Sequence, residues 1–208
     1  MRTEVLEKAR IDPRGTPARI LDAAEEVFAE HGFSGASTRE IARRARVPFG
    51  AMHYHWGSKR LLWQAVCHRL VERTRETLIR NLQPGNTPGQ IMDNLTDAFV
   101  DILIGNRNHA RLVYRGCLDD PRDATVEGMI GELLQLGLGI FRDMAPGAKI
   151  DPEMAIFLIS KAFVAAIVDE PFQERVLGGS VFTHRPARER LRAGLRRLAR
   201  VTFEIPED

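Results

Sequence analysis

The chain has 208 residues, of which 44% are hydrophobic and 28% charged, and its formal net charge is +2. These values describe a soluble globular protein of one or two domains. Its two cysteines, Cys67 and Cys117, lack a Cys-x-x-Cys spacing, which excludes a disulfide framework and a zinc finger. Apolar residues recur at helical spacing and alternating β-branched runs are almost absent, so we expect an all-α fold of about nine helices.

The ends of the chain and its apolar segments indicate no membrane association. Met1–Arg10 is charged throughout and does not resemble a signal peptide. The longest apolar helix candidate, Met154–Val168, contains a lysine and is too short to span a bilayer. We therefore expect a cytoplasmic protein with no membrane partner. Its expected organisation is a flexible arm over residues 1–16, a first domain over 17–62 and a second domain over 63–208.

The first two predicted helices begin at capping residues. Thr16-Pro17 predicts a helix start, because a threonine hydroxyl can cap free N–H groups and proline is tolerated in the first turn. Gly32 would end that helix. Ser37 and Glu40 have the spacing of a capping box, which predicts the start of the second helix. The expected buried positions are Leu21, Ala24, Val27 and Phe28 in the first helix and Ile41, Ala42 and Ala45 in the second.

A short turn separates the second helix from a third. Val47 would be the apolar plug of that turn, and Met52 and Trp56 would point from the third helix, Phe49 to His55, back to the core. Ser58 predicts the start of a long fourth helix. Two helices joined by a turn of three or four residues, the second short and exposed, form the unit that enters the DNA major groove.

The charge distribution supports nucleic-acid binding by this segment. From Gly32 to Arg60 there are six basic residues and one acidic residue, whereas from Leu61 to Asp208 there are 19 basic and 20 acidic residues. A local positive patch on a neutral body favours phosphate binding, although a solvated helix face would have the same composition. The start of the second helix, with free N–H groups beside Ser37, Thr38 and Arg39, is a candidate phosphate clamp.

This segment resembles the DNA-binding domain of the tetracycline-repressor (TetR) family of bacterial transcription regulators. The resemblance covers Ala18 to Leu62 without a gap. The matching residues are Ile20-Leu21-Asp22-Ala23-Ala24, Phe28, Gly32, Ser37-Thr38, Ile41-Ala42, Ala45, Val47, Gly50, His55-Trp56, Ser58-Lys59 and Leu62.

The resemblance implies roles for individual residues. Those implied to face base edges are Phe49, Gly50 and Ala51, and those implied to bind backbone phosphates are Thr38, Tyr54, His55 and Lys59. The chemistry fits, because Phe49 and Ala51 can contact thymine methyl groups and Gly50 allows close backbone approach. Few hydrogen-bonding side chains face the bases, so DNA shape would contribute to specificity.

Three residues depart from the family pattern. Arg46 replaces the usual turn glycine, which costs ~1 kcal/mol if the turn needs a positive φ, but adds a charge beside the phosphates. Pro48 replaces the usual serine or threonine, so the third helix loses a hydroxyl cap. His53 replaces the usual phosphate-binding tyrosine, and its contact would depend on pH. His53 and His55 would point to different sides of the helix, so we expect no shared metal.

The rest of the chain predicts further helices. The fourth helix would continue to Leu82. The five others would cover about Thr87–Ile104, Arg107–Cys117, Asp123–Met144, Asp151–Glu170 and Pro186–Phe203. The expected apolar stripe of the fifth helix is Ile91, Leu95, Phe99 and Ile102. That of the last helix is Leu191, Leu195, Leu198 and Thr202. The four internal glycines of the seventh helix, Gly128, Gly131, Gly137 and Gly139, indicate either tight helix crossings or a helix that deforms on ligand binding.

The last two predicted helices are the expected dimer surface, because two such pairs make a four-helix interface. The eighth helix is apolar around most of its girth and must be buried on two sides. The arginines of the last helix, Arg188, Arg192, Arg196 and Arg200, are expected to be solvated or paired with acids on other faces. The TetR resemblance implies the same dimer.

The resemblance also implies an effector pocket among the middle helices. Its candidate residues are Trp63, Cys67, Phe99, His109, Tyr114, Met129, Leu133, Phe157 and Lys161, each of which could equally be ordinary core. Lys161 could meet an anionic ligand, form a buried salt bridge or extend to the surface.

We therefore expect a homodimeric transcription repressor that binds a pseudo-palindromic operator in double-stranded DNA and is released by a small-molecule effector. No cofactor or metal site is expected. No catalytic motif is present, so we do not expect an enzyme. The alternative is a helical binding or scaffold protein that does not bind DNA.

Overall fold

The computed structural model describes residues 15–105, 107–108, 110–112, 114, 124–144 and 149–205. Most of the arm, His109 and Cys117 lie outside these residues. The described part of the chain contains helices and turns and no strand, so the all-α prediction is confirmed. The sixth predicted helix is described only in part, and its described residues between Arg107 and Tyr114 are helical.

Nine helices have defined ends in this part of the chain. They are α1 (Thr16–Gly35), α2 (Thr38–Arg44), α3 (Phe49–Trp56), α4 (Lys59–Arg80), α5 (Pro88–Gly105), α6 (Ala124–Met144), α7 (Pro152–Val168), α8 (Glu170–Leu177) and α9 (Arg185–Thr202). The chain forms two compact units. The first comprises Met1–Glu72 and Arg111–Met129, and the second comprises Arg73–Ala110 and Ile130–Asp208.

The core of the first unit follows the predicted helical period. All seven positions expected to be buried in the first two helices are buried, as are Met52 and Trp56 of α3. Two details differ. Thr16 is the first residue of α1 and not its cap, because Gly15 takes the N-cap position without a side-chain hydrogen bond. Gly32 has a φ of 69° and kinks α1 there, but the helix resumes and ends at Gly35.

An aromatic cluster joins α1 to α4 within the first unit. The Trp63 ring meets Phe28 edge-on at 5.0 Å between centroids and lies 5.8 Å from Phe33. Trp63 is 3% exposed. Within the chain the Trp63 indole is thus a core side chain of the first unit, which is the alternative considered for this candidate effector residue.

In the second unit, helices α5 and α9 are joined by a ladder of ion pairs. Three aspartates at four-residue intervals on α5 face three arginines at the same interval on α9. The rungs are Asp93 with Arg200, Asp97 with Arg196 and Asp101 with Arg192. The prediction that these arginines pair with acids is confirmed. They face a neighbouring helix, and the fourth, Arg188, donates to the carbonyl oxygens of Val181 and Phe182.

This ladder explains an error in the predicted stripe of α5. The predicted residues, such as Leu95 and Phe99, are only partly buried. The buried face instead runs through Met92, Thr96, Val100 and Leu103. It lies between the predicted stripe and the aspartates, because α9 covers the aspartate side. On α9 itself Leu191 and Leu195 are buried as predicted, whereas Leu198 is 42% exposed and Thr202 is partly buried.

Helix α8 is absent from the sequence prediction, which extended one helix to Glu170. The backbone of Asp169 departs from helical geometry, with φ −82° and ψ 66°, and Pro171 then lies in the first turn of α8.

Of the glycines in α6, Gly137 makes a tight crossing, since a Cβ there would lie 3.2 Å from Ile156 Cδ1. A Cβ at Gly139 would meet nothing within 4 Å.

Helix α7 presents one mostly apolar stripe to the surface. Apart from Glu153 in its first turn, its exposed described residues are spaced at i, i+3, i+4, i+7 and i+11, and we refer to them as the α7 stripe: Met154, Phe157, Leu158, Lys161 and Ala165. The expectation that α7 is buried on two sides is thus not met within the chain, because its second apolar side is exposed.

Candidate nucleic-acid interface

Helix α3 is anchored on one side and exposed on the other. Met52 and Trp56 are buried against the first unit. Phe49, the first residue of the helix, is 42% exposed, and Tyr54, on the side opposite Met52, is 82% exposed. A buried anchor with an open outer face lets a short helix be inserted into a groove without losing its packing. Pro48 takes the N-cap position with no side-chain cap, as predicted.

The residues expected to face bases differ in accessibility. Phe49 and Gly50 are exposed, whereas Ala51 is partly buried. A Cβ at Gly50 would meet nothing within 4 Å. Packing within the chain therefore does not require a glycine there, which leaves close approach of an external partner as a reason for it.

Phe49 is flanked by two side chains that connect α3 to its surroundings. The guanidinium carbon of Arg39, from α2, lies 5.9 Å from the centroid of the Phe49 ring. The His53 ring meets Phe49 edge-on at 5.0 Å. His53 Nδ1 is 3.0 Å from the carbonyl oxygen of Gly57, which can only accept, so Nδ1 carries the proton in this hydrogen bond. A second donation from the ring, to a phosphate, then requires the imidazolium form.

Of the two hydrogen bonds in the capping box predicted at the start of α2, one is formed. Ser37 Oγ accepts a hydrogen bond from the Glu40 amide at 3.5 Å. The Glu40 carboxylate binds Arg43 and Arg44, and no bond from it back to Ser37 completes a capping box among the described residues. Thr38 is partly buried and Arg39 is exposed beside this helix end.

Among the described contacts of this segment, Arg43 and Arg44 are paired with acids. Arg43 donates to Glu40 at 2.8 and 2.7 Å. Arg44 donates to Glu40 at 2.8 Å and to Glu30 at 2.7 and 2.5 Å. Hydrogen bonds from both arginines lower the pKa of the Glu40 carboxyl to about 2, and the bond from Arg44 lowers the pKa of Glu30. The patch available to phosphates is therefore smaller than the sequence count indicates.

A second cation site lies at the start of α4. Lys59 Nζ donates to the Ser34 carbonyl oxygen at 3.2 Å and lies 4.9 Å from the centroid of the Phe33 ring. The guanidinium carbon of Arg60 lies 4.9 Å from the same centroid. Burial lowers the pKa of the Lys59 ammonium. The Phe33 ring thus makes cation–π contacts with both Lys59 and Arg60. The sequence interpretation missed this residue, although an aromatic residue directly after a kinking glycine was a visible signal.

The turn between α2 and α3 has the hydrogen bonds of a Schellman motif. The Val47 amide donates to the Ala42 carbonyl oxygen at 3.0 Å and the Arg46 amide to the Arg43 carbonyl oxygen at 3.1 Å. This motif places Arg46 at a φ of 55°. The positive φ considered for Arg46 is thus confirmed. Such a left-handed conformation costs a residue with a Cβ roughly 1–2 kcal/mol.

Arg19 of α1 clamps this turn. Its Nε and Nη2 donate to the Ala45 carbonyl oxygen at 3.1 and 2.6 Å, and Nη2 also donates to the Arg46 carbonyl oxygen at 2.6 Å. These carbonyls lie at the end of α2, where backbone acceptors lack helical partners. The sequence interpretation missed Arg19, because nothing local in α1 indicates a bond to a residue 26 positions away.

The described members of the predicted effector set are distributed over both units. Trp63, Cys67 and Met129 are buried within the first unit. In the second unit Phe99 packs against Phe163 at 5.3 Å and Leu133 is partly buried. Tyr114 is 41% exposed, and Phe157 and Lys161 belong to the exposed α7 stripe. Lys161 Nζ lies 5.6 Å from the Phe157 ring centroid, and of the alternatives considered for Lys161 its exposure agrees with extension to the surface.

The part of the chain that the structure describes offers neither a cluster of metal ligands nor a membrane-spanning helix. These residues contain no group of three or more His, Cys, Asp or Glu side chains arranged to hold a metal ion. They also form no helix with the length and hydrophobicity needed to cross a bilayer.

Comparison with known proteins identifies the first unit. Residues 20–66 match the family described as bacterial regulatory proteins, tetR family. The transcriptional regulator UidR of Escherichia coli K12 is 32% identical over 78 residues, which are 36% of this chain and 40% of UidR. The chain thus spans about 40% of the length of this curated relative.

Comparison of folds extends to both units. A TetR-like transcriptional regulator from Rhodococcus sp. RHA1 superposes with a TM-score of 0.70 at 23% identity, covering 95% of this chain and all of that one. The regulator FadR from Bacillus subtilis, solved with stearoyl-CoA, has a TM-score of 0.64 at 16% identity and covers 87% of this chain and 96% of that one. Residues 20–66 thus carry the helix-turn-helix domain of bacterial regulatory proteins of the tetR family, and the chain shares the fold of solved TetR-like regulators.

Proposed function

We propose that this chain is a homodimeric transcription repressor that binds a pseudo-palindromic operator and is released from it by a small-molecule effector. The observation that carries DNA binding is the geometry of α3. The helix is held by Met52 and Trp56 and offers an outer face with Phe49 and Gly50 at its start. Such a helix can lie in the major groove with its first residues at the base edges.

The surrounding charges would orient that helix on the duplex. Arg39, Arg46 and Lys59 lie at the start of α2, in the turn and at the start of α4. The predicted phosphate contacts of Thr38, Tyr54 and His55 would add to these. Contacts to phosphates fix the register of the protein without reading sequence, which leaves the base contacts to Phe49, Gly50 and Ala51.

Two copies of the head would be needed to read a pseudo-palindrome. The proposed dimer uses α7 and α9, because the α7 stripe exposes Phe157 and Leu158 by 52% and 51%, and α9 exposes Leu198 and Val201 by 42% and 71%. Large apolar residues grouped on neighbouring helices mark an interaction site. A two-fold axis through this face would place two heads on half-sites ~34–36 Å apart.

The effector is proposed to act by changing that spacing. A coupling of ~1–3 kcal/mol between effector and DNA changes affinity ~5–150-fold, which is enough to release a repressor. FadR of the same fold was solved with stearoyl-CoA, so stearoyl-CoA is a reasonable first probe for a mostly apolar ligand. A thermal midpoint and DNA affinity that both stay constant with stearoyl-CoA would remove this ligand from the proposal.

Selection from a pool of random-sequence duplexes tests DNA binding without knowledge of the operator. We expect recovered sequences to contain two related half-sites about one helical turn apart, and their binding to weaken with salt. Recovery of no preferred sequence and no salt-sensitive binding would contradict the proposal and favour a helical scaffold protein.

A charge in the α7 stripe tests the dimer. Phe157→Glu should give a monomer in light scattering and weaken binding to the selected duplex. Ile79→Glu, on α4, is the matched control, because Ile79 is a similarly exposed apolar residue outside the proposed interface. If Phe157→Glu stays dimeric, the interface lies elsewhere.

A further inference from the structure

We infer that Arg19 is a positioning residue for DNA recognition, because its guanidinium holds Arg46 in a conformation that an arginine disfavours and thereby fixes the direction of α3. The inference rests on the DNA-binding function proposed above. It adds a residue of α1, outside the helix-turn-helix, to the groups that determine binding.

The first step is the strain in the turn. In a Schellman motif the residue after the helix cap adopts a left-handed conformation, and glycine usually takes this position. Here the position belongs to Arg46, whose φ is 55°. The turn therefore needs an additional interaction that an ordinary glycine turn does not need.

The second step is the geometry of the clamp. The Arg19 fork bonds the carbonyl oxygens on both sides of the Arg46 backbone N–Cα bond, those of Ala45 and Arg46. Changing the backbone torsions of Arg46 would move these two oxygens relative to each other. A planar, rigid donor that binds both at once therefore opposes such a change.

The third step connects the turn to DNA. Only Val47 and Pro48 separate Arg46 from the first residue of α3. Val47 is partly buried, and a rotation at Arg46 would displace it and redirect Phe49 at the start of α3. Errors of about 1 Å in placing a recognition group are enough to lose productive geometry.

A double-mutant cycle separates positioning from direct contact. Its variants are Arg19→Ala, Arg46→Gly and the double variant, measured by fluorescence anisotropy on the labelled duplex that the wild-type chain selects from a random-sequence pool. Arg19→Ala should weaken binding about tenfold when residue 46 is arginine, and less than about threefold when it is glycine, because glycine adopts the turn without a clamp. The charge lost at position 46 cancels in the cycle.

Two controls accompany the cycle. Arg43→Ala removes a cation from the same unit without touching the turn acceptors, and it should change affinity less than Arg19→Ala. Circular dichroism checks that each variant is folded. Should Arg19→Ala fail to fold, Arg19→Lys serves in its place, because it keeps the charge but not the fork.

A readout without DNA distinguishes failure of this inference from failure of the proposed function. Hydrogen exchange of the Arg46 and Val47 amides should accelerate in Arg19→Ala and return toward the wild-type rate in the double variant. Equal losses of affinity in both backgrounds, or unchanged exchange in Arg19→Ala, would overturn the inference. A wild-type chain that selects no duplex would overturn the proposed function, whereas the exchange pattern would still show whether Arg19 holds the turn.

Discussion

The Arg196 guanidinium of α9 binds the Asp97 carboxylate of α5, with Nε donating to Oδ1 at 2.9 Å. The pair is the middle rung of the ladder, and the two side chains are 42% and 25% exposed. Asp97 also lies 3.6 Å from Arg192. Partial burial and a shared partner distinguish this pair from an isolated surface ion pair, which contributes little.

We expect Arg196→Ala to lower the free energy of unfolding by about 1 kcal/mol, because it leaves a partly buried carboxylate with one of its two cations. Urea unfolding measures the change. Arg185→Ala is the matched control. Arg185 likewise pairs with an acid, Glu189 of the same helix, but the side chains of Arg185 and Glu189 are largely exposed. Equal effects from the two substitutions would show that the ladder adds nothing beyond surface pairing.

Lys59→Ala should weaken binding to all duplexes alike and reduce the slope of log affinity against log salt by ~1. The ammonium bonds one carbonyl oxygen and keeps other N–H donors for a phosphate. Titrations at several salt concentrations measure the slope. Arg43→Ala should leave it unchanged, because Glu40 already pairs with Arg43. An unchanged slope in Lys59→Ala would show that this residue contacts no phosphate.

Acid should weaken the ion pairs that Glu40 makes with Arg43 and Arg44 within α2. The folded pKa of Glu40 is about 2, below its usual value of 4.5. A carboxyl with a lowered folded pKa stabilises the fold fully above its unfolded pKa and loses this contribution as pH falls. The Glu40 contribution should therefore be complete above about pH 4.5 and disappear toward pH 2.

Thermal midpoints of the wild type and Glu40→Gln measure this contribution. Their difference should be largest near neutral pH and shrink between pH 4.5 and 2. Glu174→Gln, an exposed glutamate of α8, controls for the general effect of removing a carboxylate. A Glu40→Gln difference that is constant over this range would mean that its arginine pairs do not stabilise the fold.

The local features of the head could be predicted because neighbouring residues determine them. The buried period of α1, the Ser37 cap and the anchoring of α3 by Met52 and Trp56 all follow from spacing. The clamp of Arg19 on the turn, by contrast, joins helices separated by 26 residues. Local spacing does not specify which distant acceptor a long flexible side chain meets.

The same reason explains the errors in the second unit. The stripe of α5 was shifted because Asp93 and its equivalents looked like a solvent face, whereas Arg200, 107 residues away, covers them. The exposed apolar side of α7 could be recognised as apolar from the sequence. Its exposure in a single chain, however, depends on how α7 packs against α9 and α5, which no local pattern defines.

The glycines of α6 provide a test of why a helix interior contains them. Alanine normally stabilises a helix relative to glycine by about 0.5–1 kcal/mol. Gly139→Ala should show this gain in urea unfolding, because its Cβ would lie in open space. Gly137→Ala should show less gain or a loss, because its Cβ would press on Ile156 at 3.2 Å.

The combination Gly137→Ala with Ile156→Val should recover part of the difference in the free energy of unfolding. Equal gains at both positions would mean that the crossing of α6 and α7 tolerates a methyl group, and the close approach at Gly137 would then not explain the glycine.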